Sequence, residues 1–211
     1  TLNKVPKWIF GNNAVTWDNG LRSNSTAMTD LSNLSPNVLR WPGGNLSNIY
    51  FWNVRYGERP TDIPADINPW YGMNTQNWQM STDEYYDLLE KTNSEGIICV
   101  NYSYARYGTG PDPVAAAAHM AAEWVRYDNG RTKFWEIGNE NYGNWQTGYE
   151  IDTSLNQDGQ PKIISGDLYG RHALIFADSM RAAAEEIGVD IYIGFQAFER
   201  VPHIGTGEDT I

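Results

Sequence analysis

Short apolar runs alternate with helical patterns along the chain, and this alternation limits the possible folds more than any other feature. The runs that predict strands cover residues 7–11, 37–41, 97–101, 133–137 and 190–195. Helical spacing and capping residues predict helices over 25–34, 81–96, 113–129 and 167–187. Strands joined by helices form a parallel sheet, because parallel neighbours need connections of a dozen or more residues. The sequence therefore predicts an α/β protein.

Two α/β architectures fit this pattern, an open doubly wound sheet and a (β/α)8 TIM barrel. An open dinucleotide-binding sheet would carry G-x-G-x-x-G after its first strand, and Gly11-Asn12-Asn13 does not match it. Polar residues such as Asn45 and Asn101 instead follow the strands, as they do at the active-site face of a barrel. A full barrel takes about 250 residues and eight units. We therefore expect a (β/α)8 TIM barrel, of which this chain supplies the first five βα units.

In domain terms, residues 1–211 are predicted to be the N-terminal part of one (β/α)8 catalytic domain. Residues 46–80 form a long aromatic-rich insertion between the second strand and its helix, whose tip is not expected to be regular. Residues 200–211 are Gly-rich and are predicted to be a flexible tail. A half barrel leaves sheet edges unpaired, so we expect a C-terminal segment, a second chain or self-association to complete it.

Charge and composition exclude several classes of function. A net charge of -11 and a pI near 4.6 disfavour binding to nucleic acid or to an anionic membrane. No run approaches the roughly 20 apolar residues of a membrane span. The single cysteine, Cys99, lies in an apolar run, which predicts core packing rather than a nucleophile. Because the chain does not begin with Met, we expect a processed protein that is secreted or periplasmic, with a cytoplasmic one as the alternative.

Aromatic residues are unusually frequent, with nine Trp and thirteen Tyr in 211 residues. They either anchor loops rich in Asn and Gly or line a carbohydrate cleft, because an indole ring has an apolar face and a polar edge. Composition leaves both interpretations open. Under the second, the residues expected to contact a glycan are Trp41, Trp52, Tyr142 and Trp145, together with strand-end amides such as Asn101.

The stretch FWEIGNENYGNW, from Phe134 to Trp145, places an amide beside a carboxylic acid where the fourth strand ends. This pair suits glycoside hydrolysis, in which an acid protonates the leaving oxygen and an amide hydrogen-bonds the neighbouring sugar hydroxyl. Glu140 and Asn139 are the candidates for these roles, while a solvated loop carboxylate is the alternative for Glu140 alone. Glu136 is predicted to pair with Arg40, one strand over, and to support the site structurally.

Two motifs carry a family resemblance. WEIGNE, residues 135–140, resembles the strand-four signature of glycoside hydrolase clan A, the retaining (β/α)8 enzymes. LRWPGGN, residues 39–45, is similar to the R-[YF]-P-G-G-N segment of family 51 α-L-arabinofuranosidases, and family 44 endoglucanases have a related R-x-G-G-N. The resemblance implies that Glu140 is the acid/base and that Asn139 and Asn45 bind sugar hydroxyls. It puts the nucleophile, a Glu, at strand seven, beyond the five strands counted here.

The resemblance thus implies a retaining hydrolase of plant cell-wall polysaccharide, with this chain alone incomplete and inactive. Residues 9–17 lack the Glu that family 51 carries after strand one, so arabinofuranosides and endo-cleaved β-glucan or xyloglucan both stay open as substrates. The alternatives are a non-catalytic carbohydrate-binding fragment or degenerate barrel, and a barrel enzyme acting on a phosphorylated small molecule. No cofactor and no transition-metal site is predicted. A structural Ca²⁺ held by loop oxygens such as those of Asp152 and Asp158 is a weaker alternative.

Overall fold

The computed structural model of the chain describes residues 5–197, and the tail predicted over 200–211 lies outside them. The strands are β1 (Gly11–Asn13), β2 (Val38–Trp41), β3 (Tyr50–Arg55), β4 (Trp70–Met73), β5 (Glu95–Val100), β6 (Phe134–Ile137) and β7 (Tyr192–Gly194). The helices are α1 (Gly20–Ser23), α2 (Ser25–Leu34), α3 (Thr82–Thr92), α4 (Tyr104–Tyr107), α5 (Pro113–Asp128) and α6 (Gly166–Ile187). Short 3-10 helices cover Lys7–Ile9 and Asn45–Ile49.

Five strands form one sheet in the order β1-β2-β5-β6-β7, and every neighbouring pair is parallel. A doubly wound sheet reverses its strand order at a switch point. Here the order never reverses: each strand of this sheet pairs with the strand of the sheet that precedes it in the chain. Strands β3 and β4 belong to the insertion and are not part of this sheet. The predicted parallel α/β sheet is confirmed, and its order is the one that a barrel uses.

Local capping signals fix where the predicted helices begin. Ser81 and Glu84 form a capping box at the start of α3, and the Asp112 side chain caps α5 ahead of a proline at the first helical position. Helix α3 ends at Thr92, earlier than the predicted end at residue 96. It stops there because Asn93 adopts the left-handed conformation and the chain turns into β5.

The first strand begins later than the sequence predicts. Lys7–Ile9 is a short 3-10 helix, and the Asn37 side chain donates a hydrogen bond of 2.8 Å to the Lys7 carbonyl oxygen. Pairing with β2 starts at Gly11, opposite Val38. A Cβ at Gly11 would lie 2.3 Å from Val38 Cγ2, so this close approach requires glycine.

The hydrophobic core lies between the sheet and a layer of helices on one of its faces. Trp135 of β6 is 1% exposed and packs edge-on against Trp124 of α5, with ring centroids 6.1 Å apart. Its neighbours Phe134 and Glu136 point to the opposite face and are partly exposed, and Tyr192 on β7 is 64% exposed. Within residues 5–197, this second face has no layer of helices over it, and β1 and β7 each pair along one edge only.

The insertion between β2 and α3 is more regular than predicted. Strands β3 and β4 pair in parallel as a separate two-stranded sheet. Trp52 of β3 stacks on Trp124 of α5, with centroids 5.7 Å apart, and its Nε1 donates to the Met120 carbonyl oxygen at 2.9 Å. The insertion is therefore fastened to α5, because its aromatic side chains supply the apolar surface that an irregular loop lacks.

Candidate active site

Arg40 on β2 connects the carboxyl ends of β2 and β6. Its Nε donates to Glu136 Oε2 at 2.7 Å, and its Nη2 donates to Asn139 Oδ1 at 3.0 Å. The predicted Arg40–Glu136 pair is therefore present, but the two residues lie two strands apart rather than one, because β5 runs between β2 and β6. The guanidinium group spans β5 and fixes the direction of the Asn139 amide.

Burial and neighbouring charges set the protonation of this cluster. Burial by itself lowers the pKa of Arg40, but the carboxylate of Glu136, which is also hydrogen-bonded to the guanidinium group, and the carboxylate of Glu140 act in the opposite direction, and the net pKa lies above its usual value. Burial also raises the pKa of Cys99 to about 12. The fully buried Cys99 is thus a neutral thiol, and its predicted core-packing role is confirmed.

The chain leaves β6 through a turn with an uncommon backbone conformation. Gly138 has a φ of 75° and Glu140 a φ of 44°, and the left-handed region costs a non-glycine residue roughly 1–2 kcal/mol. Gln196, which follows β7, holds this turn. Its Oε1 accepts from the backbone N–H of Asn141 at 2.9 Å, and its Nε2 donates to the Gly138 carbonyl oxygen at 2.8 Å. The surrounding structure therefore imposes the conformation of Glu140.

Two side-chain donors meet the same oxygen of the Glu140 carboxylate. Trp145 Nε1 lies 3.1 Å and Gln146 Nε2 3.0 Å from Oε2, and Oε1 takes no part in either bond. Gln146 Nε2 also donates to Asn45 Oδ1 at 2.7 Å. Glu140 and Asn45, which were predicted from separate motifs, are thus brought together by one amide group.

The side chain of Asn139 has one hydrogen-bonding group without a partner in the described part of the chain. Its Oδ1 is occupied by Arg40, and its Nδ2 is buried with no partner among residues 5–197. Leaving a buried donor unpaired costs about 1–3 kcal/mol. Asn139 therefore carries an unsatisfied buried donor next in sequence to Glu140.

Three of the predicted glycan contacts are wrong because their side chains belong to the core. Trp41 is 0% exposed and stacks on Tyr85 of α3, with ring centroids 4.9 Å apart. Trp52 is used in fastening the insertion, as described above. Asn101 is 1% exposed, and its amide accepts from the backbone N–H of Tyr104 and donates to the hydroxyl of Tyr107, both at 3.0 Å. All three side chains are therefore too buried to contact a sugar.

The other two predicted aromatic contacts are accessible. Tyr142 is 36% and Trp145 59% exposed, and their rings meet edge to face with centroids 6.2 Å apart. Trp145 therefore offers an indole face to solvent while its Nε1 is bound to Glu140. Their contact with a glycan stays a prediction.

Sequence reasoning missed the amides that organise the site. Gln146 is 5% exposed and Asn48 is fully buried, and neither belongs to the motifs that drew attention to Glu140 and Asn45. Gln196 follows β7 and likewise belongs to neither motif. Their partners lie up to 101 positions away along the chain, so local pattern carries no signal for them.

Within residues 5–197, no three His, Cys, Asp or Glu side chains are grouped so that they could hold a metal ion. None of the helices described there is long and apolar enough to cross a bilayer.

Comparison with protein families identifies the class of protein. Residues 30–165, more than half of the chain, match the family model described as "Alpha-L-arabinofuranosidase 1 domain". The chain therefore belongs to this family. The relatives to which it is similar are named α-L-arabinofuranosidases, which are glycoside hydrolases.

Individual relatives agree with this assignment. Over 153 residues the chain is 29% identical to "Probable alpha-L-arabinofuranosidase C" of Aspergillus niger. The aligned region covers 64% of this chain and 27% of that protein. The chain is 26% identical over 155 residues to "Intracellular exo-alpha-L-arabinofuranosidase" of Bacteroides ovatus, with the same coverage. The chain thus spans about a quarter of the length of the curated relatives that it matches.

Solved structures share the fold. An α-L-arabinofuranosidase from Thermotoga maritima superposes with a TM-score of 0.54 and 21% identity, over 86% of this chain and 35% of that one. A family 51 α-L-arabinofuranosidase from Bifidobacterium longum gives a TM-score of 0.52 and 19% identity, over 90% of this chain and 37% of that one. The resemblance to family 51 is confirmed, whereas these matches give no support to the family 44 resemblance or to a cellulase.

Proposed function

We propose that this chain supplies the acid/base half of the active site of a retaining α-L-arabinofuranosidase acting on arabinose-containing plant polysaccharide. The observation that carries the proposal is the placement of Glu140 at the end of β6, where two donors hold one carboxylate oxygen and leave the other out of their bonds. Membership of the arabinofuranosidase family supports the substrate class. Export of the protein stays a prediction, and one relative is named an intracellular enzyme.

In the proposed reaction, Glu140 protonates the glycosidic oxygen while a second carboxylate attacks the anomeric carbon and forms a glycosyl ester. Water then displaces the ester as Glu140 takes up its proton. The retaining geometry requires the two carboxyl groups to lie about 5 Å apart. Asn139, with its unpaired Nδ2, and Asn45 are the proposed ligands of sugar hydroxyls.

The second carboxylate is proposed to come from strands that complete the barrel. The exposed Tyr192 and the partly exposed Phe134 lie on the sheet face that has no helical layer, and apolar surface of this kind is normally covered. The edges of β1 and β7 can pair with further strands, supplied by a C-terminal segment, a second chain or a second copy. Size-exclusion chromatography that shows a stable, well-folded monomer of this chain would contradict that requirement.

Replacing Glu140 tests the acid/base role. In the protein that contains the completed barrel, Glu140→Ala should lower kcat/KM on aryl α-L-arabinofuranosides with poor leaving groups by about 10²–10⁴-fold. Arabinosides of 2,4-dinitrophenol need no protonation and should be spared. Added azide should accelerate turnover and yield the arabinosyl azide of retained configuration. Equal activity of variant and parent on the poor leaving groups would disprove the assignment.

The same assay separates the alternatives. An endo-acting β-glucanase or xyloglucanase would shorten those polymers and leave arabinosides intact. The glucanase is kept as a second candidate because the segment from Gly11 to Trp17 lacks the Glu that family 51 carries after strand one. Thr16 in this segment does not take its place, since its side chain is buried and its hydroxyl donates to the Met80 carbonyl oxygen. A carbohydrate-binding fragment or degenerate barrel would bind glycans without turnover, whether or not Glu140 is replaced.

A further inference from the structure

Gln146 lies at the centre of the candidate site, although it belongs to neither of the motifs that define it. Its side chain is almost fully buried and makes three hydrogen bonds, one to Glu140 in its own loop and two to side chains of the segment that follows β2. Nε2 donates to Glu140 Oε2 at 3.0 Å and to Asn45 Oδ1 at 2.7 Å, and Oε1 accepts from Asn48 Nδ2 at 2.8 Å. Every hydrogen-bonding direction of its NH₂ group is therefore used within the site.

The orientation of this amide is dictated by the backbone. The carbonyl oxygen of Asn139 accepts from Asn48 Nδ2 at 2.8 Å, and the backbone N–H of Asn139 donates to Asn48 Oδ1 at 3.3 Å. Because a backbone carbonyl only accepts and a backbone N–H only donates, the Asn48 amide can point in one direction only. Its remaining N–H must then meet an acceptor, so Gln146 turns Oε1 toward Asn48 and Nε2 toward Glu140.

This arrangement distinguishes the two oxygens of Glu140. A carboxylate oxygen that already accepts from Gln146 and Trp145 is a poor site for a proton, because protonation would set an O–H against two N–H donors. The proton is therefore directed to Oε1. A chain of fixed dipoles runs from the Asn139 backbone through Asn48 and Gln146 to the acid.

From this geometry we infer that Gln146 is a positioning residue, which assigns the proton to Oε1 of Glu140 and aims it at the glycosidic oxygen. The inference rests on the proposed acid/base role of Glu140. During bond cleavage the proton passes from Oε1 to the leaving oxygen, the C–O bonding pair stays on that oxygen, and the second carboxylate forms the new bond to carbon. Gln146 donates the same two hydrogen bonds throughout and neither gains nor loses a proton.

Gln146→Met tests the inference, because methionine has a similar length and volume but no N–H. In the completed barrel, kcat/KM should fall by about tenfold to a hundredfold on phenyl arabinosides, part of the full general-acid effect. On 2,4-dinitrophenyl arabinosides the change should stay within about threefold, because that leaving group departs without protonation. Gln76→Met changes an exposed glutamine of the insertion and should leave both rates unaltered.

Trp145→Phe provides a second variant that keeps an aromatic ring on an exposed position and removes only the other donor to Oε2. It should shift the same ratio of rates in the same direction, and it keeps the test available if Gln146→Met proves unstable. An equal loss on both leaving groups, or no loss on either, would overturn the positioning role. If Glu140→Ala itself shows no dependence on the leaving group, the proposed function fails instead, so the two failures are distinguishable.

Discussion

At the scale of single residues, the turn after β6 shows how closely the candidate acid is constrained. Gly138 and Glu140 both have positive φ values, and Gln196 bridges the turn from the next strand of the sheet. A Cβ on Gly138 would lie 2.3 Å from Asn141 Nδ2 and 2.7 Å from Tyr102 Cβ. Glycine is therefore required for two reasons: its positive φ, and the close approach of Asn141 and of Tyr102, which follows β5.

Gly138→Ala should lower the free energy of unfolding by about 3 kcal/mol or more, because strain and overpacking add. Gly159→Ala is a suitable control, since Gly159 has a similar φ of 73° but nothing within 4 Å of its added Cβ. The control should lose only about 1 kcal/mol, the backbone cost alone. Urea unfolding of both variants measures the difference, and equal losses would show that crowding at the turn is unimportant.

At the scale of secondary-structure elements, the aromatic residues divide into two groups that composition could not separate. Trp41 packs between β2 and α3, where Tyr85 stacks on its ring and donates its hydroxyl to the Leu39 carbonyl oxygen at 2.8 Å. Trp145 lies in the loop after β6 with most of its ring in solvent. Trp41 thus stabilises the packing of β2 against α3, whereas Trp145 is accessible to a ligand.

Trp41→Ala should therefore reduce the free energy of unfolding by about 3–5 kcal/mol, as expected when a large core aromatic is truncated. Trp145→Ala should change it by less than about 1 kcal/mol, because an exposed ring contributes little to folding. Thermal or urea unfolding checks both values. A stable Trp41→Ala variant with weakened glycan binding would restore the rejected prediction that Trp41 contacts the substrate.

The same division explains how much the sequence could predict. Helix starts at Ser81 and Asp112 depend on neighbours within one turn, so capping patterns located them. Glu140 stood out because an acid beside an amide at a strand end is itself chemically informative. Whether Trp41 and Gln146 are buried depends on partners that the tertiary fold brings to them. No local sequence pattern distinguishes a buried Trp or Gln side chain from an exposed one.

At the scale of the whole molecule, the core contains a histidine that makes folding sensitive to acid. His172 on α6 is 7% exposed, and its Nδ1 lies 3.1 Å from the Tyr102 hydroxyl. Burial lowers the pKa of His172 from 6.5 to about 4, with a further lowering by the charge of Arg106 that outweighs the opposite effect of Asp158. The folded protein therefore keeps the ring neutral at a pH where the unfolded chain would protonate it.

Between about pH 6.5 and pH 4 the unfolded state thus binds more protons than the folded state, so stability falls as the pH drops through this window. His172→Gln should remove that part of the dependence. We expect the parent to lose about 2 kcal/mol more than the variant between pH 7 and pH 4.5. Urea unfolding at both pH values measures this, and the titration of the acidic residues cancels in the comparison. Parallel losses would exclude His172 as the cause.

The strand order also has a consequence for how the protein is made. Each strand of the main sheet pairs with one that precedes it in the chain, from β2 on β1 to β7 on β6. A polypeptide that leaves the ribosome N-terminus first can dock every new strand on an edge already in place, without waiting for a distant partner. The turn that carries Glu140 receives its support from Gln196 only after β7 has emerged. The candidate acid is therefore assembled late, when the sheet beneath it already exists.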